Sequence, residues 1–164
     1  MAYQRLQVSE GLAVIPSDTV PIPDPATEVI SGTADFSVAG VLTDTAPTAF
    51  TTAGIQTNAI VYNITAGIAY FVTAVTDDLN LALSPSSAGS AADEYVIYNA
   101  ATKACTLYVG GGGPGALIVQ MASQRDAALT DKITFQNIPT SSFLPILVTR
   151  VFSATTSTNI IALW

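Results

Sequence analysis

The sequence predicts an all-β protein, and two observations carry the prediction. Val, Ile, Thr, Tyr and Phe recur in short runs separated by Gly, Pro, Ser, Asn and Asp, the pattern of brief strands joined by turns. No window shows an apolar stripe at i, i+3, i+4 and i+7 with charged flanks. The best helical candidate, Ala122–Leu129, is short and broken by Ser and Asp.

The elements follow in order. Ser17–Pro25 holds Pro21, Pro23 and Pro25 at alternating positions. Proline fixes φ and lacks an N–H, so this piece is expected to be an extended strap and not a central strand. It either lies across a neighbouring subunit or simply leads into the first domain. From Val29 to Tyr98 the chain has no Lys or Arg. Short strands are predicted there at Gly40–Asp44, Ala59–Asn63, Ala69–Val75, Asn80–Leu83 and Tyr95–Tyr98, which suits a small, partly open barrel. Phe50-Thr-Thr-Ala-Gly54 is expected to form a helical turn or loop whose Gly takes φ > 0. Thr76–Asp78 and Ser84–Asp93 are expected to be turn-forming loops.

A second β unit follows. Ala104–Val109 and Ala116–Met121 flank the run Gly110–Gly115, a tip that a hairpin could use. Lys132–Phe135, Phe143–Phe152 and Thr158–Leu163 complete the strands, and Trp164 is expected to be held in a sheet.

Composition restricts function. The chain has 164 residues, enough for one domain or two small ones, of which 49% are hydrophobic and only 10% charged. An ordinary protein is about 25% charged, so much of this surface is expected to be covered by neighbouring subunits. No stretch reaches the roughly 18 apolar residues of a spanning helix, and the first residues do not have the pattern of a secretion signal. Synthesis and assembly in a cytoplasm are therefore expected. Residues 1–102 carry Arg5 against ten acids, a net of −9, whereas residues 103–164 carry a net of +2. Such an acidic chain repels phosphate, which argues against nucleic acid as a partner.

There is no histidine, which removes the commonest general base, the Ser-His-Asp arrangement and the usual zinc ligands. Cys105 is the one cysteine and is expected to act as a small hydrophobe in a strand. Asp77-Asp78 and Asp93-Glu94 could form a carboxylate pair or hold Ca²⁺, but adjacent strand residues point to opposite faces and no D-x-D-x-D-G loop is present. They are expected to be solvated turn acids. The Gly110–Gly115 run is followed by Ala116-Leu117, where a phosphate loop needs Lys and Ser or Thr. Asn63-Ile-Thr65 matches a glycosylation pattern that a chain made without a signal never meets. No catalytic, cofactor or metal site is therefore predicted. Tyr62, Tyr70, Phe71, Tyr95 and Tyr98 are candidates for a glycan platform if exposed, or for core if buried.

Four ordered blocks carry a resemblance: Thr106-Leu-Tyr-Val-Gly110, Ile133-Thr-Phe-Gln-Asn-Ile-Pro139, Leu144-Pro-Ile-Leu-Val-Thr-Arg-Val151 and Thr158-Asn-Ile-Ile-Ala-Leu-Trp164. Together they resemble the head-spike base proteins of phages and of phage-derived gene transfer agents. Ile15-Pro-Ser-Asp-Thr-Val20 fits the N-terminal strand of that fold. The resemblance covers Val14–Pro25 and Lys103–Trp164, under half of the chain. Between these parts stands a stretch that resembles a small β module common in phage structural proteins, with Phe50-Thr-Thr-Ala-Gly54, Asn58–Asn63, Val72–Thr76, Leu79–Leu83 and Tyr95–Tyr98.

The resemblance implies a jelly-roll-like β-sandwich of residues 1–28 plus 101–164, with a barrel-like domain of residues 29–100 inserted. It also implies a virion structural protein without enzymatic activity, a head-spike base or capsid decoration subunit that forms a symmetric homo-oligomer. Expected partners are the major capsid protein or other virion proteins and a spike fibre, with no nucleic acid, membrane or cofactor. A tail or baseplate adaptor and a host-glycan-binding fibre module are the alternatives. Candidate interface residues are the strap prolines Pro21, Pro23 and Pro25, the cations Arg125, Lys132 and Arg150, and Trp164. The cations either solubilise the chain or pair with acids of the N-terminal part or of a neighbour.

Overall fold

The computed structural model describes residues 8–45, 50–99, 103–124 and 132–164. The structure is nearly all β and consists of two six-stranded antiparallel sheets. The chain divides into two compact units, Met1–Asp18 with Lys103–Trp164, and Thr19–Thr102. The second unit is continuous and interrupts the first. The strap prolines therefore belong to the inserted unit.

The first turn of the inserted unit is set at Asp24, whose side chain accepts a 3.1 Å bond from the Ala26 N–H and caps a single 3₁₀ turn, Pro25–Thr27. Pro25 suits the first position, where an N–H would be unpaired anyway. Strands β2 (Glu28–Ala34), β3 (Val41–Thr43), β4 (Ile60–Asn63), β5 (Ile68–Val75), β6 (Asn80–Ser84) and β7 (Asp93–Tyr98) pair in the order β2-β7-β4-β5-β6-β3. The sheet curls until its two edges touch, where Asp35 and Thr43 exchange backbone bonds of 2.8 and 2.9 Å. Phe36, Leu42, Phe50, Val61, Tyr70, Leu81 and Ile97 fill the interior. The expected barrel is thus a six-stranded sheet curled onto itself.

Strand β2 was not among the predicted strands, because Ser31-Gly32-Thr33 interrupts the apolar run with small and polar residues. Pairing rescues it. Gly32 stands opposite Tyr95, whose ring edge lies 3.5 Å from where a β-carbon at Gly32 would sit. The aromatic ring thus covers the surface that glycine leaves bare.

The outer unit holds β1 (Gly11–Ala13), β8 (Cys105–Gly111), β9 (Gly115–Met121), β10 (Ile133–Ile138), β11 (Ser142–Val151) and β12 (Thr158–Leu163), ordered β1-β12-β8-β11-β9-β10. Its N-terminal strand lies just before the predicted Ile15–Val20. That segment forms no strand, although the Ser17 N–H still bonds the Val151 carbonyl at 2.9 Å.

The Gly110–Gly115 region is also not a hairpin, because β11 lies between β8 and β9. In a flat sheet two strands flanking one antiparallel neighbour run parallel, and joining them takes a crossover of about a dozen residues. Here residues 112–114 make the connection, and three residues reach only about 10 Å. The sheet must therefore fold over, and β11 is the strand that folds. Its first part pairs with β8 through Ser142–Leu144, and its last part pairs with β9 through Val148–Val151. The register slips between Leu144 and Val148. Pro145, which has no N–H to give to a ladder, stands at the slip. A strand that changes layers by such a bend makes the corner of a β-sandwich. Cys105, Leu107 and Val109 of β8, Leu117 and Val119 of β9, and Ile160 and Ala162 of β12 are the buried side of this unit.

Among the described residues no helix is long and apolar enough to cross a membrane, a statement that does not bear on β-barrels.

Candidate functional site

Three predicted residues have their place in the outer unit. Lys132 Nζ lies 4.4 Å from the ring centroid of buried Phe152, and Arg150 Cζ lies 5.8 Å from it. Arg150 Nη1 donates a 2.9 Å bond to the Asp18 carbonyl, while Lys132 Nζ faces Asp18 Oδ1 at 3.7 Å. Ser153 Oγ donates to Asp18 Oδ2 at 2.5 Å. This bond above all holds the Asp18 carboxyl below its ordinary value, against the opposing effect of burial and with a lesser contribution from the Lys132 charge. Burial lowers the Arg150 guanidinium, partly offset by Asp18. The cluster fastens the N-terminal segment to the last part of β11. Its ion pair is largely solvated and contributes under about 1 kcal/mol. The cation–aromatic contacts add about 0.5–2 kcal/mol.

Trp164 is tied in similarly. Its indole N–H donates to the Lys103 carbonyl at 3.1 Å, and its backbone N–H bonds Glu10 O at 3.1 Å. Pro23 is buried, and Pro21 and Pro25 are half-buried. Arg125 lies outside the described residues. Within the outer unit the structure therefore brings Lys132 and Arg150 together but not with Trp164.

The acidic doublets are accounted for locally. Asp77 accepts from the Leu79 N–H at 2.8 Å and from Asn80 Nδ2, bonds that lower its carboxyl. Asp78 accepts from Thr51 Oγ1. Asp93 is buried, contrary to its expected loop position, and opens β7. It accepts from Asn63 Nδ2 at 2.7 Å and from the Ser90 N–H at 2.8 Å. A second buried carboxylate, Asp44, accepts from Tyr95 Oη at 2.5 Å, and burial with this bond raises the Tyr95 phenol. No group of three or more acids or Cys that could hold a metal occurs among the described residues.

Four of the five aromatic candidates for a glycan platform are core. Tyr62, Tyr70, Tyr95 and Tyr98 are buried and Phe71 is half-buried. Phe36 packs on Tyr70 and Tyr95 at 5.9 and 6.2 Å, and Tyr62 meets Tyr98 edge-on at 5.8 Å. None of the four tyrosine rings of that set is free to stack on a sugar.

The surface feature that the sequence reading missed is on the outer unit. Of all residues in its six strands, Arg150 alone is charged. Cross-strand pairing aligns Ala13 with Ile161, Ile161 with Tyr108, and Tyr108 with Phe143, giving one row across four strands. Neighbouring strand positions such as Leu107, Val109, Ile160 and Ala162 are buried, so this row is the outward one. Ile161 is 36% exposed, Phe143 44% and, farther along β11, Leu147 54%. A signal existed in Asn159-Ile-Ile-Ala-Leu163 and in Leu144-Pro-Ile-Leu-Val148, where apolar residues occupy consecutive positions. A strand with one wet face alternates instead. The chain matches no known family, no curated protein and no solved structure.

Proposed function

We propose that this chain is a non-enzymatic structural subunit of a phage or phage-like particle, a head-spike base or capsid decoration protein working as a symmetric homo-oligomer. One observation carries the reading: the outer strands are nearly free of charge and turn a row of large apolar side chains outward. A soluble protein that stays monomeric covers such surface with Lys and Glu. The ordered blocks that resemble head-spike base proteins point to the same role, and they lie in this outer unit. Its partners in this reading are further copies, the major capsid protein and a spike fibre, and its location is the virion, assembled in the bacterial host's cytoplasm.

The test is gold-labelled antibody against the chain on purified particles, combined with co-sedimentation with heads stripped of tails. Label on the head is expected. Label on the tail selects the adaptor reading, and particles without label end the virion reading altogether.

A further inference from the structure

We propose that the outward row Ala13–Ile161–Tyr108–Phe143 is the contact between two copies of this chain, related by a two-fold axis running along the strands. The inference rests on the structural-subunit reading only in its expectation that copies meet.

The occupant follows from charge and shape. A partner that presented charges to this face would bury them unpaired, at considerable cost. The partner surface must therefore be neutral and apolar. The chain carries a net charge of −7, so its copies repel one another except where acids are absent, and this row has none. The row is also graded in size, from Ala13 through Ile161 to Tyr108 and Phe143. An in-plane two-fold axis along the strands reverses the row on the facing copy. Ala13 then meets the partner's Phe143, and Ile161 meets the partner's Tyr108, so a small residue receives the largest one. The Tyr108 ring reaches along its strand to Gly110, where a β-carbon would sit 3.4 Å from its Cε1.

Joining by sheet edges is disfavoured by the same structure. β1 is three residues long, and β10 has a register break between Phe135 and Ile138 and is flanked by Lys132 and Pro139. Short length, bulges, Lys and Pro are the devices that blunt an edge.

Four strands about 4.8 Å apart and about five residues long cover roughly 300 Å². A standard interface buries about 800 Å² per partner. The contact is accordingly reversible by itself and reinforced when other contacts close an assembly.

Sedimentation of the full chain over a concentration series tests this. Wild type is expected to show a reversible dimerisation step. Phe143→Lys and Ile161→Lys, both at exposed positions, are expected to weaken that step at least ~10-fold with an unchanged circular dichroism melt. Ala13→Cys/Phe143→Cys is expected to give a disulfide-linked dimer on oxidation, while Ala13→Cys alone gives none. A wild type that stays monomeric, Lys variants that associate as wild type does, or dimers of the single Ala13→Cys variant each overturn the proposal. Should a Lys variant fail to fold, the cysteine pair decides alone. The virion reading fails separately, through particles that lack the chain.

Discussion

Asp18 shows how much a single side chain here depends on position. Its folded pKa lies below the ordinary carboxylate value, chiefly through Ser153. The stability it contributes is therefore fully present above about pH 4 and is lost as the pH falls through the folded value. Asp18→Asn is expected to remove that part of the acid sensitivity, seen as a flatter plot of unfolding free energy against pH below about pH 4. Cys105 is the opposite case. Burial pushes its thiol up to about 12, so the native protein at about pH 8 is expected to resist a thiol reagent that labels it fully in denaturant. Tyr95→Phe takes a donor from buried Asp44 and is expected to cost about 1–3 kcal/mol in denaturant titration. These environments were only partly legible beforehand. Cys105 could be placed in a buried strand by its neighbours, but the meeting of Arg150 with Asp18 joins residues 132 positions apart. No local pattern encodes such a contact.

At the scale of elements, glycines separate into those that fill space and those that leave it. A β-carbon at Gly115 would lie 2.7 Å from the Gly112 carbonyl oxygen and 2.8 Å from Ser157 Oγ, inside the tight arch that links the two layers. Gly115→Ala is expected to destabilise by about 1–3 kcal/mol or more. At Gly32 the nearest atom would be 3.5 Å away, an ordinary contact. Gly32→Ala is expected to be neutral or stabilising by up to about 1 kcal/mol. Paired thermal melts of the two variants check both outcomes. Strands with consistent apolar patterning, such as Ala116–Met121 and Thr158–Leu163, were legible almost to the residue. The arch was not, because a run of glycines permits a hairpin and a layer crossing alike. Which of them forms depends on β11 entering between its flanking strands, and β11 comes later in the chain. The consecutive apolar residues signalled two apolar sides, but which of them faces outward was illegible for a related reason: alternation reports which side is buried only when the other side is polar.

For the whole molecule, the inserted unit has its own interior and a sheet joined to itself at Asp35 and Thr43. An excised fragment of residues 19–102 is expected to fold alone, giving dispersed amide resonances and a cooperative melt, whereas a collapsed spectrum would show that it depends on the outer strands. The Asn99 N–H bonds the Thr27 carbonyl at 2.9 Å, so the two ends of the inserted unit are pinned side by side. That single pinned doorway makes the inserted unit an entropic clamp. While it is folded, β1 and β8, which flank β12, are joined by a far shorter effective loop than the chain length between them. Once it melts, they are joined by a long slack tether, and loop closure weakens their joint hold on β12 by about 0.6 kcal/mol for every doubling of tether length. Melting the inserted unit thus loosens the outer one through the chain itself, and a short rigid linker in place of the insert would hold β1 and β8 on β12 as firmly as the folded insert does.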